Sequence, residues 1–356
     1  MNESQSQPFV LMMGPSLKSR GGMTTVESQL VDLLPGEGIH VDFLSTYVDA
    51  GKTRKALVAL KAYWLFCRHL DAYDIIHVHM ASRASYERKA VFIRRALKSG
   101  KKVIIHHHGG EFGVWFDEEL SELKRNEVRS LFAKADVVIV LSEEWLSWFD
   151  SRGFCTNSYI VMHNAVPVPE EPCSPCSHQD VLFLGRLDAN KSPDVLLRAS
   201  RRMLEEHPGS KLLFAGDGFP DRYEALAREL GIAERCEFLG WITGEDKEGL
   251  FARAGAYCLP SKNEGMPMSV LEAMAHGIPT VATPVGGVPQ VIEDGVNGYI
   301  IPVGDESALS AVLCRLAGSP SLRLEIGSAG RNTIQNDFSI DRNVKELARI
   351  YEGLMI

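Results

Sequence analysis

The chain has 356 residues, a length that predicts about two domains. Hydrophobic residues make up 45% of the sequence and charged residues 24%, which excludes a disordered or fibrous protein. No uninterrupted apolar run approaches the length of about 18 residues that a membrane-spanning helix needs, and the N-terminus lacks the basic segment of a signal peptide. The seven cysteines lie mostly in apolar or helical stretches, which favours a reducing cytoplasm over a disulfide framework.

The net charge of −8 is unevenly distributed along the chain. Residues 1–170 carry 20 basic and 20 acidic residues, whereas the remainder carries 18 and 26. Residues 51–102 alone hold 13 basic and 3 acidic residues. A strongly basic patch in an acidic protein indicates a localised anionic partner, which could be a membrane surface, a phosphate-bearing acceptor or nucleic acid.

Short apolar runs alternate with amphipathic stretches along the whole chain. In the first half we predict strands at 8–13, 41–45, 74–80, 101–108, 135–142 and 158–166, with helices at 23–34 and 52–70 and between the later strands. After a loop rich in proline and serine, the second half has predicted strands at 180–186, 211–218, 236–242, 256–261 and 280–283, and helices at 193–206, 221–230, 245–253 and 267–276. This alternation is typical of doubly wound parallel sheets. We therefore expect an α/β protein with two Rossmann-like domains facing a cleft, at 1–166 and 180–337, joined by a linker at 167–179.

The first motif is the pair Gly21-Gly22 between the first strand and the first helix. Glycines let the backbone approach a ligand closely, and the helix start attracts an anion. Only Gly14 precedes the pair, so the spacing is not that of a dinucleotide fingerprint, and an NAD enzyme is disfavoured. A flexible loop with a glycine-capped helix explains the same residues.

Three histidines and two glycines follow one another at 106–110, at the end of a predicted strand. Open α/β sheets bind ligands at such strand ends, so a single histidine of a binding cleft, His108, is the best candidate here. Alternation places His106 and His108 on one face of the strand and His107 on the other. No carboxylate or cysteine lies at ligand spacing, so we expect no metal, and we interpret His77 and His79 as structural or cleft-lining.

Two cations, Arg186 and Lys191, lie in the loop between the strand at 180–186 and the helix that Pro193 opens. Arginine in fork geometry and lysine as a point charge could together hold a diphosphate. Solvated loop cations are the simpler interpretation of these two residues taken alone.

The most specific motif spans 259–292 and contains Glu264 and Glu272. Glu264 lies in a loop, and Glu272 lies in the following helix. Both carboxylates could accept hydrogen bonds from sugar hydroxyls, although such a pair could also serve a glycosidase. Backbone amides near the helix start offer an anion site, and they belong to Met266, Met268 and Ser269.

The segment NEGMPMSVLEAMAHGIPTVAT closely resembles the signature of the family-4 retaining glycosyltransferases of the GT-B fold, which is marked by two glutamates separated by seven residues. The other motifs follow in the order of that family, namely the Gly-Gly loop, the cleft histidine, GRLDANK, AGDG, FLGW and PVGGVPQVIEDGVNGYIIP. The resemblance spans nearly the whole chain.

The resemblance implies a role for each motif. Arg186 and Lys191 would hold the donor diphosphate, Glu264 would bind hydroxyls of the donor sugar, Glu272 would bind the ribose, and His108 would bind the sugar near the reaction centre. The first domain would be the acceptor side and the second the nucleotide-sugar side, with a C-terminal helix in 338–356 packing back on the first domain. Further donor contacts would come from Gly21, Gly22, Gly216, Gly218, Trp241, Ile242, Gly265, Met266, Pro267, Met268 and Ser269.

The chemistry implied is a metal-independent retaining transfer. The chain contains no Asp-x-Asp triplet, so Arg186 and Lys191 would offset the leaving-group charge in place of a metal ion, and we expect no cofactor. Retention rests on the resemblance alone. No residue suggests itself as a covalent nucleophile, so the hypothesis is a same-face substitution. The donor is expected to be a UDP-sugar, with GDP-mannose second.

Basic and aromatic residues of the predicted helix 52–70 and the following helix suit an anionic membrane surface, although a core-packing helix with a basic outer face explains the same pattern. The candidate acceptor and membrane residues are Lys52, Arg54, Lys55, Lys61, Trp64, Arg94 and Arg95. We expect a peripheral enzyme on the inner face of the plasma membrane, with a glycan or polyprenyl-diphosphate-linked acceptor and no nucleic acid, acting in bacterial-type cell-surface polysaccharide or glycolipid synthesis.

Two other interpretations compete with this one, and a C-x-x-C segment is weighed beside them. A nucleotide-sugar epimerase or hydrolase of related fold would turn over without an acceptor. A non-catalytic sugar-nucleotide-binding subunit would bind the donor and never turn over. The C-x-x-C segment at 173–176 has no fourth zinc ligand, so incidental loop cysteines are expected there.

Overall fold

The structure, a computed structural model, describes residues 7–19, 21–155, 158–173 and 179–356. The chain divides into two compact units, the first running through Asn164 and including Ile340–Ile356, and the second being Ala165–Ser339. The division lies two residues before the predicted domain end at 166, and the C-terminal return begins at Ile340 rather than at 338. Residues 167–179, predicted as a linker, belong to the second unit.

The start of the predicted linker is tied to the body of the second unit by hydrogen bonds. The Arg331 guanidinium donates to the carbonyl oxygens of Pro169 and Glu170. The Cys173 amide donates to the carbonyl oxygen of His276 over 2.8 Å. The remainder of the C-x-x-C segment lies outside the described residues, as does most of the loop that follows it.

The first unit contains a six-stranded parallel sheet with the strand order β2-β1-β3-β4-β5-β6. Its strands are β1 Phe9–Pro15, β2 His40–Tyr47, β3 Ile75–Met80, β4 Lys102–His107, β5 Val137–Val140 and β6 Tyr159–Val161. Its helices are α1 Gly22–Leu33, α2 Lys52–His69, α3 Ala84–Lys98, α4 Phe112–Val114, α5 Glu122–Phe132 and α6 Glu143–Ser151. Every residue of β3 is buried, including His77 and His79, as expected for a central strand of a parallel sheet.

The second unit contains another six-stranded parallel sheet, ordered β12-β11-β10-β7-β8-β9. Its strands are β7 Asp180–Leu184, β8 Leu212–Ala215, β9 Cys236–Gly240, β10 Ala254–Leu259, β11 Thr280–Ala282 and β12 Tyr299–Ile300. Its helices are α7 Pro193–Glu206, α8 Pro220–Glu229, α9 Glu245–Arg253, α10 Met268–Ala275, α11 Val288–Val291, α12 Glu306–Gly318 and α13 Pro320–Asp337.

The C-terminal helix α14, Ile340–Gly353, completes the first unit. It buries one stripe formed by Ile340, Val344, Leu347, Ala348 and Tyr351. This spacing of three and four residues is that of an amphipathic helix packed on a core. The helix that the sequence predicts in 338–356 therefore exists and belongs with the first sheet.

Candidate functional site

The loops that carry the second set of motifs meet at one place in the second sheet. The chain runs from β7 outward to β8 and β9 and then returns to the other side of β7 as β10. The boundary between β7 and β10 is thus a topological switch point, where open α/β sheets bind ligands at the carboxyl ends of their strands. The two loops are joined there, because the Lys262 amide donates to Asn190 O over 2.7 Å and the Asn190 side chain donates to Asn263 O over 3.1 Å.

Lys191 and Glu264 form an ion pair at this switch point. Lys191 Nζ lies 2.5 Å from Glu264 Oε1, and the Glu264 side chain is only 8% exposed. The Ser261 hydroxyl donates to the same carboxylate oxygen over 2.6 Å. The Asp188 carboxylate accepts from the Asn190 amide over 3.0 Å, which is an Asx turn, and from the Lys191 amide over 3.1 Å, and these two bonds fix the loop backbone. The sequence predicted both ends of this pair, and their contact comes from the fold.

Arg186 lies at the outer edge of the same loop. Its side chain is 59% exposed, and its Nε lies 3.5 Å from Asp188 Oδ2. The loop therefore presents one cation to solvent and holds a second against a buried carboxylate.

Gly286 and Gly287 support the Glu264 loop from the other side. The Gly287 amide donates to Gly265 O over 2.6 Å. Gly286 has φ +57°, and a Cβ at this position would lie 2.3 Å from Glu264 O. This Gly-Gly pair belongs to the segment PVGGVPQVIEDGVNGYIIP of the family pattern. It follows β11, and the absence of side chains allows the backbone of its loop to contact the backbone of the Glu264 loop.

Glu272 is held by a residue that the sequence analysis missed. Lys247 Nζ, on α9, lies 2.6 Å from Glu272 Oε1, and the Glu272 side chain is 14% exposed. Helix α10 begins at Met268 with Pro267 at its N-cap, one residue later than predicted. A lysine in the acidic segment EDKEG is the only sequence signal for this contact, and it does not identify a partner.

The residues around the start of α10 are mostly packed into the second unit. Met266 and Met268 are 4% and 7% exposed, and the Ser269 hydroxyl accepts from the Tyr257 hydroxyl over 2.7 Å. Burial of these side chains positions the loop, so any contact they make with a ligand would come from their backbone.

Gly216 and Gly218, predicted to contact a donor, are required by backbone packing. A Cβ on Gly216 would lie 1.8 Å from Gly185 O, and one on Gly218 would lie 2.5 Å from Leu187 O. The β8 loop therefore packs against the loop that carries Arg186, and a donor contact is not needed to explain these two glycines. Next to them, Trp241 is 40% exposed and Ile242 is partly buried.

Gly21 and Gly22 lie at the corresponding switch point of the first sheet, where β1 separates β2 from β3. Gly21 is the N-cap of α1, with φ +138°, and both glycines are exposed. Among the described residues, no atom lies within 4 Å of a Cβ built on Gly21, so its conformation, and not crowding, favours glycine there.

His108 follows β4 as the outermost member of a histidine cluster. His79 Nδ1 lies 2.8 Å from His108 Nε2, and His77 Nε2 lies 3.3 Å from His106 Nδ1. Burial lowers the pKa of His106 to about 3 and holds the pKa of His77, His79 and His108 well below the usual value. These rings are therefore neutral at neutral pH.

His107 lies on the opposite face of β4, as alternation predicts. Its ring makes edge contacts with Phe112, Trp145 and Phe149, at centroid distances of 4.6, 4.9 and 5.2 Å. His107 is thus part of an aromatic core and takes no part in the cluster of the other face.

Two buried ionisable side chains, Glu27 on α1 and Lys89 on α3, were not predicted. The Glu27 and Lys89 side chains are 0% and 1% exposed. Burial raises the pKa of Glu27 to about 8, although Lys89 opposes this effect. Lys89 Nζ donates to the backbone oxygen of His79. The signal in the sequence is a glutamate between Val26 and Leu30, on the apolar face of α1.

Helix α2 exposes apolar as well as basic side chains. Leu57, Leu60 and Trp64 are 67%, 68% and 57% exposed, and they form a continuous strip, called here the α2 stripe. The Arg68 guanidinium lies 5.4 Å from the Trp64 ring centroid. Among the described residues, no helix combines the length and apolar character needed to cross a bilayer. The stripe is an exposed surface that the unit itself does not cover.

The predicted basic residues on α2 and α3 differ in what they contact. Arg54 and Lys61 are exposed on α2, and Lys55 lies 4.8 Å from the Tyr47 ring. Arg94 is paired with Glu127 on α5, and Arg95 is partly buried. The side chain of Lys52 lies outside the described part of the chain, although its backbone begins α2.

Comparison with known proteins gives consistent matches. The family described as Glycosyl transferases group 1 matches residues 175–333. A protein of Bacillus subtilis (strain 168) named as a glycosyltransferase, EpsD, is 30% identical over 301 residues, which cover 80% of this chain and 77% of that protein. A D-inositol 3-phosphate glycosyltransferase of Actinosynnema mirum is 36% identical over 179 residues, 48% of this chain and 43% of that protein.

Solved structures match over almost the whole chain. Sucrose-phosphate synthase from Thermosynechococcus elongatus has a TM-score of 0.83 at 19% identity and covers 98% of this chain and 99% of its own. HepE of Anabaena in complex with UDP-glucose has a TM-score of 0.77 at 18% identity and covers 98% of this chain and 100% of its own. At such identities the likeness shows the fold, and the expected GT-B class with two parallel sheets is confirmed.

Proposed function

The chain belongs to the glycosyl transferases group 1 and is a glycosyltransferase, and from this premise we propose that it moves a hexose or N-acetylhexosamine from a nucleotide sugar to a glycan or lipid-linked acceptor. The donor is a UDP-sugar, with GDP-mannose as the second choice. The solved structure of HepE with UDP-glucose supports a UDP donor, because its fold matches this chain over nearly its full length. The reaction proceeds with retention and without a metal ion on the diphosphate.

The observation that carries this proposal is the Lys191–Glu264 pair at the switch point of the second sheet. Its 2.5 Å contact holds an ammonium group in a loop that also presents the exposed Arg186. When the bond between the sugar and the diphosphate breaks, the electron pair leaves with the nucleoside diphosphate. Lys191 and Arg186 stabilise the negative charge that develops there, since preorganised cations favour the transition state over the ground state.

Glu264 has two tasks in this mechanism. One oxygen accepts from Lys191 and Ser261, which fixes the carboxylate in a single orientation. The other accepts hydrogen bonds from hydroxyls of the donor sugar. Glu272, held by Lys247, binds the ribose of the nucleotide. The acceptor hydroxyl attacks the same face of the anomeric carbon that the diphosphate leaves, and its proton passes to the departing phosphate oxygen.

The first unit supplies the sugar and acceptor side. Gly21 and Gly22 open α1, whose first amides offer an anion site, and His108, neutral because burial and neighbouring rings lower its pKa, binds a sugar hydroxyl. The α2 stripe and its exposed neighbours Arg54 and Lys61 bind the anionic inner face of the plasma membrane, where a polyprenyl-diphosphate-linked acceptor is found.

A thermal-unfolding panel tests donor binding. The purified chain is heated with UDP, GDP, ADP, CMP or dTDP and their common sugars, without added metal. A ligand at about 100 times its dissociation constant stabilises the folded state by about 2.7 kcal/mol, a shift that is easily measured. We expect a shift with uridine nucleotides that Lys191→Ala removes and that Lys262→Ala, an exposed lysine of the adjoining loop, retains. Equal shifts in the two variants would refute the role of Lys191.

Nucleotide release with and without a lipid-linked sugar acceptor tests the reaction itself. A transferase releases nucleotide much faster when the acceptor is present. Release at the same rate without an acceptor would instead identify a hydrolase or epimerase. Binding of a nucleotide sugar with no release under either condition would identify a non-catalytic subunit.

A further inference from the structure

Four histidines lie on one face of the first sheet, although they come from two strands. His77 and His79 alternate along β3, and His106 pairs with His79 across the β3–β4 ladder. His108 follows two residues after His106, at the end of β4. Their rings stack on one another, with centroid distances of 4.1 to 5.4 Å.

Two ring nitrogens in this cluster are buried without a hydrogen-bond partner among the described residues. They are Nε2 of His79 and Nε2 of His106. The two residues are 0% and 2% exposed. A buried polar atom without a partner is expensive, so native proteins rarely leave one unless another group occupies the position.

The hydrogen bonds at the other ring nitrogens leave lone pairs on Nε2. The Tyr351 hydroxyl lies 2.5 Å from His77 Nδ1, and His108 Nε2 lies 2.8 Å from His79 Nδ1. When Nδ1 of His77, His79 and His106 carries the proton, Nε2 of each ring keeps its lone pair, and that of His77 accepts from His106 Nδ1 over 3.3 Å. A ring fixed by a hydrogen bond at its far nitrogen is the usual arrangement of a metal-ligating histidine.

One nitrogen from each of His77, His79 and His106 converges on the same space. The three ligand atoms all lie within 4.8 Å of one another. Metal–nitrogen bonds of about 2.0–2.1 Å in a tetrahedral site place neighbouring ligand atoms about 3.3–3.4 Å apart. A bound ion would therefore draw the rings together by roughly 1 Å.

We propose that His77, His79 and His106 bind a late first-row divalent ion such as Zn²⁺. Three imidazoles without a carboxylate suit zinc, cobalt, nickel or copper and do not suit magnesium or calcium. Burial keeps the pKa of all three rings low, so they do not need to lose a proton before they bind. The ammonium of Lys89 opposes a dication nearby, although burial lowers the pKa of Lys89 to about 8.

This ion would be separate from the phosphate chemistry of the second unit and would not replace Arg186 or Lys191. It would connect β3 to β4 and, through the Tyr351 hydroxyl, to α14. Spacing along the chain predicts no metal here, because no carboxylate or cysteine lies at ligand spacing from these histidines. The three ligands lie on two strands, and the register of the β3–β4 ladder brings them together.

Metal uptake by the full-length chain, without an affinity tag, tests the proposal with no nucleotide or sugar present. The protein is stripped with a chelator, exposed to Zn²⁺ or Co²⁺ and passed through gel filtration. We expect about one equivalent of ion per chain to remain bound, and Co²⁺ to give the strong visible absorption of a tetrahedral site. His79→Gln and His106→Gln should lose the ion. His107→Gln, a matched change on the other face of β4, should retain it.

Tyr351→Phe provides a variant that keeps all three ligands. It should still bind Zn²⁺ and Co²⁺, with affinity weakened about 10- to 100-fold, as expected when an outer partner of a ligating histidine is lost. Failure of the wild-type chain to retain either ion would overturn the proposal, as would equal uptake by the His79→Gln and His107→Gln variants. Because the readout is bound metal, this result is independent of whether the chain binds a UDP-sugar.

Discussion

Gly286 provides a direct test of how the Glu264 loop is held. In Gly286→Ala the new Cβ would lie 2.3 Å from Glu264 O and 2.5 Å from Gly265 O, so the backbone must move. Gly304→Ala is a matched control, because Gly304 also has a positive φ, +77°, but a Cβ there would meet no atom within 4 Å. The two variants share the conformational penalty and differ in the steric overlap.

The expected magnitudes follow from these two terms. A left-handed backbone conformation at an alanine lowers the free energy of unfolding by about 1–2 kcal/mol, and this cost applies to both variants. Overpacking adds about 1–3 kcal/mol in Gly286→Ala alone. In a unit of this size, 1 kcal/mol lowers the melting temperature by about 2–4 °C. The Gly286→Ala variant should therefore unfold about 2–12 °C below the Gly304→Ala variant.

Differential scanning calorimetry measures this difference, and the uridine nucleotide panel measures its effect on the site. Displacement of the loop moves Glu264 away from Lys191, so Gly286→Ala should also lose nucleotide stabilisation that Gly304→Ala retains. Equal melting temperatures and equal nucleotide shifts in the two variants would refute the argument that backbone contact holds this loop.

Three further changes test other parts of the structure. Lys247→Ala leaves Glu272 without its ionic partner and should weaken nucleotide binding about tenfold, as measured by calorimetric titration. The double change Leu60→Ser and Trp64→Ser should reduce co-sedimentation with anionic vesicles at least tenfold, because each side chain contributes about 1.5–3 kcal/mol when buried. The control Leu123→Ser, at a residue of α5 that is 84% exposed, should leave co-sedimentation unchanged. The pKa of Glu27 is raised from 4.5 to about 8 by burial, so its carboxyl binds a proton more tightly in the folded state, and the stability that Glu27 contributes should fall as pH rises between these values. In urea titrations the free energy of unfolding of the wild type minus that of Glu27→Gln should therefore fall from pH 4.5 to pH 8, and a pH-independent difference would refute this role of Glu27.

The sequence predicted the strands and most of the helices because buried parallel strands are continuous apolar runs. Eleven strands were placed within a few residues, although the predicted strand at 158–166 is only β6. The twelfth, β12, has two residues, which is too short for any periodicity. Helices α12 and α13 were not predicted, and both lie C-terminal to the last of the sequence motifs.

The candidate site was predicted as a set of residues and not as a set of contacts. Lys191 and Glu264 are 73 residues apart, and only the order of β7 and β10 in the sheet brings them together. The partner of Glu272, Lys247, could not be identified for the same reason. Gly216 and Gly218, which follow β8, were predicted to contact a ligand. A close approach to another backbone requires glycine just as a close approach to a phosphate does, so the sequence does not distinguish the two.

The return of the chain to the first unit has a consequence for the order in which the protein folds. The second unit is one contiguous stretch, Ala165–Ser339, and it can close its sheet as soon as that stretch leaves the ribosome. The first unit begins earlier but needs α14, and the hydrogen bond between Tyr351 and His77 spans 274 residues. During synthesis the segment that is made first is therefore the one that is finished last, and until then it exposes the apolar surface that α14 covers.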